Sequence, residues 1–393
     1  MIPALTNINT VRRKKIGFYS TVVIAAFILL VLFFYTDNNF QWYGCCTHFL
    51  FNTALKDVDI YSIWENETSL PIVAWTGFFS LTIGRVLNDT MVNCSHTCEI
   101  VERSAYENSV YKGKIPPAYV IHGAELRMYD LPVRYKQQTV VFLSLEAPPS
   151  YNFPLLIPKD YFNATITYRS DSTYPHPYGR FDHRTFSDDS QTIITEEQIN
   201  DAVKRKNKSC LLLISNCHTN SGRENIVRAL SKVINITVAG KCSSMFPDST
   251  QVVCPPNFEC ENELVASHRF YVAFENSICR DYITEKFHMR ASQLLVPIVL
   301  HRKPYVDSGI PPSSFVAVDD FNTYQQLAQH LEYLQRNDTA YIEYFEWTKT
   351  YRKPWNYDAS AGCRLCTDLH RKKKQIVQDI RDFFYSNQCE NVI

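Results

Sequence analysis

Downstream of residue 68 the chain repeats one pattern: a short, wholly apolar run, a turn, then a polar stretch with apolar positions at helical spacing. Residues 72–75 (IVAW), 118–122 (AYVIH) and 139–145 (TVVFLSL) are apolar runs of strand length closed by turn residues, the last by Pro148-Pro149. Thr195-Glu196-Glu197-Gln198 is a capping-box start and opens a polar helix to about Arg205. A boundary is predicted near Asn207-Lys208-Ser209, after which the alternation is cleaner. Strands are predicted at 210–215, 236–239, 270–274, 296–300 and 315–318, and helices at 221–234, from about 283 and from about 322. Ile226, Ala229, Leu230 and Val233 share one face of the first of these helices, and Leu327, Leu331 and Leu334 one face of the last. Fully apolar strands alternating with helices predict parallel sheets covered on both faces. The fold class is α/β, formed twice, at 69–207 and 208–350, with a C-terminal region at 351–393 that ends in a tail helix.

The N-terminal pattern differs in kind. Residues 16–36 carry no charge, and at 1.5 Å each they span roughly 31 Å, the thickness of a bilayer core. Arg12, Arg13, Lys14 and Lys15 precede this run and only Asp37 follows closely. That asymmetry predicts a cytoplasmic tail at 1–15, a signal anchor at 16–36, a stem at 37–68 and a lumenal remainder. A cleaved signal peptide fits less well, because the run is long and no small-residue cleavage site follows. Seven N-x-S/T sequons, at Asn66, Asn88, Asn93, Asn163, Asn207, Asn235 and Asn337, all lie beyond the span. The 13 cysteines suit an oxidising lumen, and their odd number leaves one unpaired or intermolecular. Cys45 and Cys46 in the stem are candidates for cross-linking two chains into a homodimer.

Forty basic and forty acidic residues give zero net charge, so no global electrostatic case exists for nucleic acid. Only 11 glycines occur, and none are spaced as a dinucleotide-binding or P-loop motif. A phosphate-bearing ligand must therefore be held by side chains and helix ends. Two strand ends carry suitable chemistry. Glu146 follows TVVFLSL and precedes Ala147-Pro148-Pro149, so it reads either as a general base or as a solvated loop carboxylate. Glu275-Asn276-Ser277 follows FYVAF and leads through Asp281, Thr284 and Lys286 into a helix N-terminus, either a phosphate site or ordinary capping. Asp57-Val58-Asp59 spells a D-x-D metal motif but lies in the stem. Cys363-x-x-Cys366-x-x-x-His370 is half of a zinc pattern, and Arg371-Lys372-Lys373-Lys374 reads as the solvated face of the tail helix or as a contact for anionic acceptors.

The stretch 270–287 (FYVAFENSICRDYITEKF) closely resembles the signature of the α-1,3-fucosyltransferases. The likeness continues through VPIVL at 296–300, Ser314-Phe315, Val318-Asp319-Asp320-Phe321 and Tyr344-Phe345-Glu346-Trp347. Upstream, Ser215-Asn216, Ser221, Arg223 and Gly240, TYRSDSTYPHPYGRF at 167–181 and FLSLEAPPS at 142–150 resemble further family elements. The resemblance covers about residues 72–370 in order. It implies a single-pass type II Golgi enzyme of two Rossmann-like domains (GT-B architecture), the first binding the acceptor and the second GDP-fucose. The implied reaction moves fucose with inversion to O3 of N-acetylglucosamine in glycoprotein N-glycans. Glu146 would be the base. Arg223 and Lys286 would face the diphosphate, Tyr282 and Glu285 would line the donor site, and Asn216, Tyr271, Glu275 and Asn276 would shape the nucleotide pocket. Tyr168, Arg169, Asp171 and Tyr178 would lie on the acceptor side. A divalent cation, Mn²⁺ or Mg²⁺, could stimulate but is not required, and no metal ligands are assigned. The family's closing Cys-x-x-Cys implies a disulfide at Cys363 and Cys366. The chain departs from the family at Gln293-Leu294, where Ala-Gly is usual, at His301, usually Gly, and at Thr348, usually Arg. These departures keep a second reading open, a weakly active or inactive lumenal binding relative.

Overall fold

The computed structural model describes residues 56–151, 157–189, 191–255, 258–355, 359–376 and 379–390. The predicted anchor, most of the stem and Cys45 and Cys46 lie outside the described residues. Among the described residues no helix is long and apolar enough to cross a membrane.

The first sheet comprises β1 (Ser69–Ala74), β2 (Thr97–Glu102), β3 (Ala118–His122), β4 (Thr139–Ser144) and β5 (Ala164–Thr167), in the order β2-β1-β3-β4-β5, all parallel. Every residue of β4 is buried, as its uninterrupted apolar run requires. Two of the five strands are not predicted from the pattern. β2 (TCEIVE) is an edge strand with alternate residues half-exposed, and β5 (ATIT) is half threonine, whose hydroxyls bond locally to Thr173 and Ser172.

The second sheet runs β11-β10-β9-β6-β7-β8, again all parallel, from β6 (Lys208–Leu213), β7 (Ile236–Ala239), β8 (Thr250–Val252), β9 (His268–Val272), β10 (Val296–Val299) and β11 (Val316–Ala317). Among the described residues the helices of eight residues or more are α1 (Glu196–Arg205), α2 (Arg223–Leu230), α3 (Phe258–Ser267), α4 (Glu285–Ser292), α5 (Tyr324–Arg336) and α6 (Ala361–His370). The capping box at Thr195 forms, with Thr195 Oγ1 accepting from Gln198 N and Gln198 Oε1 accepting from Thr195 N. Leu327, Leu331 and Leu334 on α5 are buried as predicted. α2 is shorter than predicted, and Val227 and Leu230 are its buried apolar positions.

The C-terminal region belongs to the first core rather than standing apart. Ala361, Leu365 and Leu369 of α6 pack into the same cluster as Ile72, Val120, Val141 and Ile166. Cys363 and Cys366 do not pair with each other. One turn apart on α6, they bond to Cys94, which precedes β2, and to Cys98, the second residue of β2. Cys254 and Cys260 also pair, Cys217–Cys242 and Cys279–Cys389 complete the disulfides among the described residues, and Cys210 is a buried free thiol. α6 stops at His370 because Lys372 turns into the left-handed region, its N–H bonding to Leu369 O. Residues 371–374 are therefore a loop, not a helix face. The D-x-D pair is also structural: Asp59 caps the turn Ile60–Ile63 and Asp57 pairs with Lys136.

The sequon at Asn163 is buried. Its Oδ1 accepts from Val140 N at 2.7 Å and its Nδ2 donates to Gln138 O at 2.9 Å, so the amide is part of the fold. Asn66, Asn88, Asn93, Asn207 and Asn235 are exposed. Asn337 caps the short helix Asp338–Ile342 through Ala340 N.

Candidate active site

Parallel α/β sheets present ligands beyond the carboxyl ends of their strands, and both sheets do so here. Glu146 stands two residues past β4. Ser144 Oγ donates to Glu146 O at 3.0 Å, Tyr151 Oη donates to Ser144 Oγ at 2.5 Å, and Tyr178 Oη donates to Leu145 O at 2.7 Å. Pro148 and Pro149 begin a 3-10 turn directly after it. The loop is thus fixed on both sides of the carboxylate. Tyr282, from the segment between β9 and α4, donates its hydroxyl to Glu146 Oε2 at 3.0 Å. Among the described residues Oε1 accepts no hydrogen bond.

Tyr282 packs with its ring tilted against Tyr168 at 4.9 Å and sits edge-on to Tyr178 at 6.3 Å, so Glu146 lies against an aromatic wall. Burial first, then neighbouring phenols and carboxylates, raises Tyr282 well above its ordinary value; burial and Glu146 do the same for Tyr178. Both hydroxyls therefore stay protonated and act as donors.

The second element is a cleft of about 450 Å³ at the carboxyl ends of β6 and β7. It is lined by Ile214, Ser215, Asn216, Arg223, Gly240, Glu261, Asn276, Glu285 and Lys286, among others. Gly240 has φ +107°, and a Cβ there would meet Ile214 O at 2.3 Å, so the close approach of the two strand ends needs glycine. Arg223, the first residue of α2, is buried; its Nη1 donates to Phe274 O at 2.6 Å and its Nε has no partner. Asn276 Oδ1 is likewise buried without a donor.

Lys286 lies on the first turn of α4. Its ammonium contacts Glu285 Oε1 at 2.9 Å, Thr284 Oγ1 at 2.9 Å and Glu275 Oε2 at 3.3 Å. Burial alone would lower its pKa, but Glu275 and Glu285 outweigh burial and hold it above its usual value. Burial also raises Glu275, whereas Lys286 overcomes burial at Glu285 and holds that carboxyl low. A cation at a helix N-terminus, beside a buried arginine, is suited to an anionic leaving group.

The structure brings Asn216, Arg223, Asn276, Glu285 and Lys286 to this cleft and redistributes the other candidates. Glu275 is buried beneath the cleft, accepting from Thr284 N at 2.8 Å and from Thr284 Oγ1, so it positions α4 and Lys286. Tyr271 lies in the core of the second sheet, outside the cleft, with Arg290 over its ring at 5.0 Å. Tyr282 faces Glu146. Tyr168 and Tyr178 border Glu146, but Arg169 and Asp171 do not line an open site. Arg169 is buried, grips Asp171 with two bonds at 2.9 and 2.7 Å, and donates to Gln388 Oε1 at 2.7 Å and to Phe383 O.

That tail contact is not among the sequence expectations. Phe384 packs fully buried between Phe142 and Tyr168, and the disulfide to Cys279 fixes the segment. The aromatic triplet Phe383-Phe384-Tyr385 was the available signal. Glu261, which joins the cleft from α3 and pairs with Arg290 at 2.7 Å, had none.

None of the family departures lines the cleft. Gln293 accepts from Arg290, Leu294 adopts φ +60° at the end of α4, His301 faces Asp319 at 3.4 Å, and Thr348 bonds back to Phe345 O. Among the described residues Cys98, Cys366 and His370 cluster within metal-binding distance, but the two sulfurs are joined as a disulfide.

Residues 67–179 match the family description "Fucosyltransferase, N-terminal", and residues 203–383 match "Glycosyltransferase family 10 (fucosyltransferase) C-term". An alpha-(1,3)-fucosyltransferase of Caenorhabditis elegans, fut-1, is 34% identical over 270 residues, 64% of this chain; the chain spans only 58% of that relative's length. A second from the same organism, fut-6, is 30% identical over 320 residues, covering 77% of this chain and 75% of the relative. A human 4-galactosyl-N-acetylglucosaminide 3-alpha-L-fucosyltransferase is 29% identical over 327 residues, covering 80% of this chain and 83% of its own. A crystal structure of an alpha1,3-fucosyltransferase with GDP-fucose superposes with a TM-score of 0.50 at 15% identity, over 79% of this chain and 92% of that one, and so supports the fold. With each of its two sheets falling within one of the matched regions, in the order the family requires, the chain belongs to glycosyltransferase family 10, the fucosyltransferases.

Proposed function

We propose that the chain transfers fucose from GDP-fucose, with inversion, to O3 of N-acetylglucosamine in glycoprotein glycans. The observation that carries this reading is Glu146, fixed past β4 and bonded to Tyr282, which leads into the same helix that carries Lys286 to the cleft. The names of the relatives support the donor and the acceptor sugar. Inverting displacement needs one base on the face of the sugar opposite the leaving group. Glu146 would take the proton from the acceptor hydroxyl, with Tyr282 holding one carboxylate oxygen and leaving the other to accept. As the bond to GDP breaks, charge grows on the diphosphate, and Arg223 and Lys286 would stabilise that state more than the ground state. Asn216 and Asn276 would orient the nucleotide.

The uncharged run at 16–36, with its basic flank, supports a type II anchor in the Golgi membrane with the catalytic residues lumenal. The stem cysteines support a dimer through the stem. A divalent cation is not needed for the charge stabilisation described.

Transfer from labelled GDP-fucose to a panel of N-acetylglucosamine-containing glycans tests the reading. Glu146→Gln keeps the shape and removes the proton acceptor, so turnover should fall at least roughly 100-fold. GDP affinity, measured by calorimetry, should hardly change. A variant that transfers at the parent rate would move the base elsewhere.

A further inference from the structure

At the end of the first sheet remote from Glu146, a second cavity of about 320 Å³ opens beside the start of β4. Arg134, Gln137, Tyr61, Lys136, Lys372 and Lys374 are among its lining residues. Thr139, the first residue of β4, and Asn163, which precedes β5, also border it. Glu146 lies beyond the opposite end of β4, so six strand residues, roughly 20 Å, separate the cavity from the base. A ligand held here takes no part in chemistry at Glu146.

Arg134 is the unusual group. Its Nε and Nη1 are shut from solvent and meet no hydrogen-bond acceptor. Burial lowers the pKa of this guanidinium, and Asp160 and Tyr161 only partly offset the effect. Nε and Nη1 lie on different sides of the guanidinium, so in this basic cavity they are two separate unmet donors that oxyanion oxygens would satisfy one by one. Gln137 Oε1 is also buried without a donor, and it requires a hydroxyl or amide rather than a bare ion. Lys372 lies 5.5 Å over the Tyr61 ring, and Lys374 is exposed and in no ion pair among the described residues. Cations at the rim in addition to the half-buried arginine fit several charges spaced along one molecule.

We propose that this cavity is a binding site for a sulfated saccharide. Arg134 donates to sulfate-ester oxygens, Gln137 accepts from a ring hydroxyl, and Lys372 and Lys374 meet further sulfates. The site is an exosite that would hold an acidic glycan chain away from the reacting end, and it does not depend on the transfer reaction being as proposed above.

The purified full chain is titrated with a heparin-derived hexasaccharide, the same hexasaccharide desulfated, inorganic sulfate and inorganic phosphate, each with GDP present in excess. The sulfated hexasaccharide should bind despite the GDP, weaken steeply with added salt, and lose at least tenfold in affinity on desulfation. Arg134→Gln should weaken it by about tenfold or more. If Arg134→Gln does not fold, the exposed pair Lys372→Gln and Lys374→Gln carries the same expectation. Unchanged affinity in whichever variant is tested, equal binding of the desulfated chain, displacement by GDP, or tighter binding of free phosphate than of the hexasaccharide would each overturn the proposal.

Discussion

Lys286 has two tasks. It neutralises the buried carboxylate of Glu275, and it presents a cation to the cleft at the start of α4. Breaking a buried ion pair by removing one partner leaves an uncompensated charge, at a cost of about 3–5 kcal/mol. A charge-assisted contact to a diphosphate is worth about 1.5–3 kcal/mol. Lys286→Ala should therefore lower both the melting temperature and the affinity for GDP. Loss of GDP affinity with an unchanged melt would show that Glu275 does not depend on Lys286. An unchanged GDP affinity would remove Lys286 from the donor site. Asn163 makes the opposite point: its sequon is intact but its amide is used by the fold. Glycopeptide mass spectrometry should find Asn163 unoccupied while Asn66, Asn88 and Asn93 carry glycans. An occupied Asn163 would contradict the packing at the start of β4 and β5.

At the scale of elements, what the sequence makes legible depends on where the partner of each feature lies. The capping box at Thr195, the buried stripe of α5 and the apolar runs of β3, β4 and β9 are local, and each formed close to its predicted bounds. β2 escaped because this edge strand buries none of its side chains fully and so carries no continuous apolar run. Glu146 was legible because it ends a strand. Its bond to Tyr282, 136 residues away, was not, nor was the use of Arg169 to hold the tail at Gln388. Three histidines show a consequence of the same burial. His122 at the end of β3, His176, and His288 within α4 are pushed by burial to about 4, about 4 and about 3. Their folded values lie below the unfolded value near 6.5, so the unfolded chain takes up protons first. Stability is full above about pH 6.5 and falls as pH drops toward 4. Melting temperatures taken from pH 7.5 to pH 5 should decline; a flat profile would mean that these rings are not buried neutral.

At the scale of the whole molecule, the second sheet is inserted between the first sheet and the helix that completes its core. The chain leaves after β5, builds β6–β11, and returns as α6 to pack on β1. Two disulfides secure that return, Cys94–Cys363 across 269 residues and Cys98–Cys366 across 268. Closing so long a loop removes much of the freedom of the unfolded chain, about 5–6 kcal/mol for a loop of this order in the chain-entropy account. The two bridges close almost the same loop, so the second adds little entropy loss once the first is made. Removing either one alone leaves the return point tied, and Cys94→Ala with Cys363→Ala should cost only a small part of that sum. Cys98→Ala with Cys366→Ala should behave alike. Removing both pairs should cost several kcal/mol more than the two losses added together, read as midpoints of denaturant unfolding at constant slope. Additive losses would show that each bridge acts through local packing of α6, not through closure of the loop that carries the second domain.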